Sequence, residues 1–126
     1  MGIKYLFLFT ALSGFVSVGM GAFGAHGLRG KVEENLFHAF ETAVAYQISH
    51  SLALFGVCVL LQIWGMKLSL QLAAYAFMLG IVLFSGSLYG LALTGMKWLA
   101  PITPIGGLTL LTGWALLAFA TWEHAR

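Results

Sequence analysis

The sequence predicts an all-α integral membrane protein: a transmembrane bundle of four helices with a short interfacial amphipathic helix after the first span. Three observations predict it. Of 126 residues, 60% are hydrophobic and only 8% are charged, whereas a soluble domain carries about 25% charged residues. Mean hydropathy is +0.94. The apolar residues gather in four runs, each of the roughly 20 residues a helix needs to cross a bilayer. Short loops use what is left, so residues 1–126 are read as a single transmembrane domain.

The first span is expected over about residues 5–24, between Lys4 and the polar group His26, Arg29 and Lys31. One positive charge, an apolar stretch and small residues also describe a secretory signal. This run is longer than a signal core and more spans follow, so an uncleaved helix is expected. Residues 32–42 are amphipathic: Val32, Leu36 and Phe40 recur every four residues, opposite Glu33, Glu34, Asn35, His38 and Glu41. That pattern suits a short helix lying in the membrane interface. The second span, about 43–64, follows directly, and a turn carrying Lys67 leads to the third, about 71–94. Pro101 and Pro104 open the fourth, about 101–122. Proline fits a first helical turn because its missing N–H has no intrahelical partner there. Trp64, Trp98 and Trp122 fall at helix ends, where indole rings prefer the headgroup level. Trp114 is mid-span and is expected to face protein or lipid tails. Basic residues divide three and three between the two sides, so loop charge does not orient the bundle.

Composition excludes several functions. A net charge of +2, thinly spread, makes no nucleic-acid patch and no polybasic lipid tract. The single cysteine, Cys58, allows no internal disulfide, and there is no aspartate. Gly19, Gly21, Gly24 and Gly27 lie in an apolar helix rather than after a strand, so they form no phosphate loop. No serine stands in a nucleophile elbow. No catalytic residue, metal or cofactor is assigned.

Helices in lipid associate by close packing and interhelical hydrogen bonds. Candidate packing positions are Ser13, Ser17, Gly21 and Ala25 in the first span, Gly86 and Gly90 in the third, and Gly106 and Gly113 in the fourth. The polar residues lie mostly toward the first and third loops, which share one side of the membrane. His26, Glu41, Tyr46, Gln47, His50, Ser85, Ser87, Tyr89 and Thr103 form the expected polar pocket. Ionisable groups at membrane depth are costly and mark function by default, which singles out His50. It admits three roles: a hydrogen bond to a neighbouring helix through Ser85, Ser87 or Tyr89; the wall of a water-filled vestibule; or a catalytic or metal site with His26. Histidine suits zinc or copper, but His26, His38 and His50 are twelve residues apart with no HxxxH pair.

The stretches Gly21-Ala-Phe-Gly-Ala-His-Gly-Leu28, Phe40-Glu-Thr-Ala43 with Tyr46 and His50, Ser85-Gly-Ser-Leu-Tyr89 and Leu99-Ala-Pro-Ile-Thr-Pro-Ile-Gly-Gly107 resemble the YgdD/YwdK-like family of small bacterial inner-membrane proteins. Gln47 departs from that pattern, which leads one to expect histidine there. The resemblance implies a multi-pass protein of the bacterial plasma membrane with four helices, and no assigned reaction. The expected function is therefore a non-enzymatic one, through contacts with membrane lipids, a second copy or a membrane-protein partner. A small-solute or ion pathway around His50 is the alternative, and a membrane enzyme or metal binder using His26 and His50 the second.

Overall fold

The computed structural model describes residues 2–126. Four helices long and apolar enough to cross a membrane account for nearly all of them: Ile3–Leu28, Glu34–Trp64, Leu68–Thr94 and Lys97–Ala125. The last begins with a 3-10 turn, Lys97–Leu99, and becomes α-helical at Ile102–Ala125. Pro101 and Pro104 do stand at its start, where the first N–H groups lack intrahelical acceptors. Each of the three connections contains a glycine at positive φ: Gly30 (81°), Gly65 (92°) and Gly95 (71°). A side chain resists that conformation, so these glycines stop the helices and reverse the chain.

The amphipathic stretch 32–42 is not a separate element. It is helical from Glu34 and runs into the second span without a break, giving one helix of 31 residues. Such a helix is about 46 Å long, against roughly 30 Å of hydrocarbon. Its first turns therefore project to the headgroup level. The polarity change near Thr42 marks a change of solvent, and with no glycine or proline there the backbone has no reason to break.

The second and third spans are the most buried, and the first and fourth flank them. The first packs on the second, and the fourth on the third. One apolar core, including Leu6, Leu54, Val57, Leu61, Phe77 and Leu110, fills the half nearer the termini. A smaller one, Leu28, Phe37, Phe40 and Ala92, closes the half near the first and third loops. Ser13, Gln47, His50, Ser51 and Ser85 are buried polar side chains, and the His50 ring meets Phe77 of the first core at 5.8 Å.

Small residues set the close approaches. A Cβ at Gly24 would lie 2.8 Å from the Phe40 ring, and one at Gly113 would lie 2.7 Å from Phe77. A Cβ at Gly106 would overlap the backbone of Leu83 and Phe84, and one at Gly80 would overlap Leu110. Ser13 and Ser17 are buried, Gly21 lies against Val44, and Gly90 lies against Leu99. Ala25 and Gly86 stand outside these contacts: Ala25 is exposed, and a Cβ at Gly86 meets nothing within 4 Å. Steps of four residues drift by about 40° each around a helix. The buried face of the first span accordingly runs Ser13, Ser17, Gly24, Leu28, covering the two turns from Ser17 to Gly24 in seven residues rather than eight.

Two wide π turns interrupt regular pitch, at Gly24–Leu28 and Ile81–Ser85. The second swells the third helix toward the fourth, and Gly106 receives it.

Candidate functional site

The second span sorts the polar residues. Tyr46 and His50 lie one turn apart on one face, and Gln47 and Ser51 on the next, about 100° around the helix. The expected pocket thus falls into two groups on different sides.

The Gln47 side joins three helices. The Gln47 amide N–H donates to Ser13 Oγ at 3.2 Å, and Gln47 Oε1 accepts from the Tyr89 hydroxyl at 2.6 Å. The Ser51 hydroxyl reaches Ser13 Oγ at 2.7 Å and the Gln47 carbonyl at 2.6 Å. Ser85 donates to the Ala43 carbonyl at 2.8 Å. No buried side-chain N or O lacks a hydrogen-bond partner among the described residues. This network welds the first, second and third helices where hydrocarbon would leave such groups unsatisfied. A groove of about 460 Å³ runs beside it, lined by Ser13, Gln47, Ser85, Gly86 and Tyr89 among apolar neighbours. Ser87 and Thr103 pair separately, 2.6 Å apart, between the third and fourth spans.

On the other side His50 bridges to the fourth span. The Trp114 indole N–H donates to His50 Nε2 at 3.0 Å, and His50 Nδ1 is 2.9 Å from the Tyr46 carbonyl. An indole can only donate and a carbonyl only accept. His50 is therefore the neutral tautomer with its proton on Nδ1. Its ring stacks on Tyr46 (centroids 5.6 Å apart, planes at 13°) and meets Trp114 edge-on at 5.8 Å. The partner is thus the mid-span tryptophan, not Ser85, Ser87 or Tyr89. Trp114 has one foot in lipid, at 45% exposure.

These aromatic residues wall a groove of about 800 Å³ between the second and fourth spans. Phe84, Pro104, Gly107, Leu108 and Leu111 complete it, and Leu108 and Leu111 are exposed, so it opens sideways. Ser49 lines it too, and its hydroxyl is spent on the Tyr46 carbonyl. The Tyr46 hydroxyl has no hydrogen-bond partner among the described residues.

His26 and Glu41 join neither group. His26 is exposed on the π turn ending the first span, and Glu41 is exposed one turn below Ala45, 3.5 Å from His38. No cluster of three or more His, Cys, Asp or Glu able to hold a metal ion occurs among the described residues. Ser51 and Trp114 were not singled out as site residues by sequence. Ser51 carried a signal, four residues after Gln47; the meeting of Trp114 with His50 did not.

Residues 20–107 match a family described as "Protein of unknown function (DUF423)". Over 121 residues the chain is 42% identical to the UPF0382 inner membrane protein YgdD of Escherichia coli, covering 93% of this chain and 88% of that one. The UPF0382 membrane protein YwdK of Bacillus subtilis is 38% identical over 122 residues, 97% of this chain and 99% of its own. A UPF0382 membrane protein of Staphylococcus aureus is 41% identical over 123 residues, 98% of this chain and 99% of its own. No solved structure matches the chain.

Proposed function

The chain belongs to the DUF423 family, membrane proteins of unknown function, and is a multi-pass protein of the bacterial inner membrane; from that premise we propose that it acts without catalysis, by holding the hydrocarbon chain of a membrane lipid between its second and fourth spans. One observation supports this most: the groove there is large, opens sideways to lipid and has most of its polar atoms already bonded. Its volume, about 800 Å³, falls in the range of about 300–1,000 Å³ common for small-molecule sites. Both ring nitrogens of His50 are engaged. What the wall offers a ligand is aromatic and aliphatic surface plus one free hydroxyl, on Tyr46. Water would find few partners there, and an occupied buried-water site needs two to four.

The test is lipid retention. A Cβ at Gly107 meets nothing within 4 Å, so Gly107→Leu fills the groove without disturbing the backbone. Native mass spectrometry of protein extracted in mild detergent should show several-fold less bound lipid in this variant at an unchanged unfolding temperature. Equal retention would overturn the proposal. A Leu111→Cys variant in a Cys58→Ser background, embedded in lipid, should resist a water-soluble thiol reagent; rapid reaction would replace a lipid-filled groove with a hydrated one.

A further inference from the structure

A different cavity, of about 190 Å³, lies between the end of the first span and the start of the second. Its lining combines Arg29 and Glu41 with small residues, among them Gly21, Ala25 and Ala45. Depth orders these parts. The first span carries no charge between Lys4 and His26, a length of about 30 Å that matches the hydrocarbon. Arg29 and Glu41 therefore stand at the headgroup level, and Gly21 lies within the acyl region. The small side chains leave a furrow leading down from a charged mouth.

The mouth holds one charge of each sign, and the two are not paired. The Arg29 guanidinium lies 4.9 Å over the Phe37 ring, a contact that fixes its position and leaves its N–H edge available. The carboxylate contacts at ion-pair distance among the described residues are those to the His38 ring, from Glu34 at 3.7 Å and from Glu41 at 3.5 Å. A lone arginine would favour any anionic headgroup, but Glu41 in the same cavity offsets its charge. We propose that this cavity is a headgroup-selective site for a zwitterionic glycerophospholipid bearing a primary ammonium group. Arg29 takes the phosphate, as guanidinium groups do; Glu41 accepts the ammonium N–H; one acyl chain enters the furrow. A choline headgroup has no N–H to give Glu41, and a glycerol headgroup has no cation. The site shares no lining residue with the groove of Tyr46, His50 and Trp114, and stands or falls apart from it.

The experiment places the full chain in nanodiscs of equal phosphatidylethanolamine, phosphatidylglycerol and phosphatidylcholine and identifies retained lipid by native mass spectrometry. Wild type should hold phosphatidylethanolamine about fivefold over phosphatidylcholine, the weight of one net hydrogen bond. Glu41→Ala, which removes both acceptor oxygens, should erase the preference while total phospholipid stays. Arg29→Gln should lower retention of all three. Both side chains are exposed, so the variants keep the fold, checked by unfolding temperature. Gly107→Leu should leave headgroup preference untouched. Equal retention of phosphatidylcholine, stronger retention of phosphatidylglycerol, or a preference that survives Glu41→Ala would each overturn the site.

Discussion

Gly106 and Gly107 are neighbours with opposite surroundings, and alanine at each should separate them sharply. A Cβ on Gly107 meets open space; one on Gly106 would stand inside contact distance of three backbone atoms of Leu83 and Phe84. Backbone cannot rotate out of the way as a side chain can. The fourth helix must retreat toward the ordinary contact range, which begins at 3.4 Å. A gap of 0.5–1 Å already forfeits about a quarter to a half of each dispersion contact. Overpacking typically costs about 1–3 kcal/mol, and rigid backbone on the receiving side puts Gly106→Ala near the upper end, about 3 kcal/mol. Gly107→Ala should change stability by less than about 0.5 kcal/mol. Reversible unfolding in detergent, followed by circular dichroism, measures both. If Gly106→Ala proves as stable as Gly107→Ala, the third and fourth helices do not meet as described.

The bond from Tyr89 to Gln47 should appear as coupling: Gln47→Leu and Tyr89→Phe should each destabilise by about 0.6–1.7 kcal/mol, and the double variant by clearly less than their sum. Strict additivity would deny the contact. At the other face, nitrogen-15 spectra of His50 should show the Nδ1–H tautomer in wild type. Trp114→Phe removes the donor to Nε2 but leaves the Tyr46 carbonyl 2.9 Å from Nδ1, so the Nδ1–H tautomer should persist while the Nε2 resonance shifts, with the fold intact. A wild-type signal from Nε2–H would refute the Trp114 bond.

The four spans were legible because lipid leaves a chain few options: a run of apolar residues must satisfy its own backbone, and only a helix does that locally. The continuity from Glu34 to Trp64 was not, because the pattern that changes at Thr42 belongs to the solvent and not to the backbone. Ser13 and Ser17 were readable as a packing face from spacing. Ala25 and Gly86 were not separable from it, since a fixed step of four drifts and wide turns shift the phase. Gly80 lay outside any stripe. At the site, the concentration of Gln47, His50, Ser85 and Tyr89 in one half of the membrane followed from loop topology. Their division between two faces was implicit in the single-residue offset of Tyr46 and Gln47. The pairing of His50 with Trp114 depends on how the fourth helix is rotated, and no local pattern carries that angle.

The wide turn at Ile81–Ser85 ties two properties of the chain that are usually independent. A π turn holds one residue more than an α turn, and here the surplus backbone is what fills the hollow at Gly106. Losing one residue from that turn would let the third helix close to regular pitch with both flanks in place, and the hollow would stand empty. A lineage that shortened the third helix by one would then be free to enlarge residue 106, and a larger residue there would in turn favour the shorter helix. Chain length in one helix and side-chain size in the next would change together or not at all.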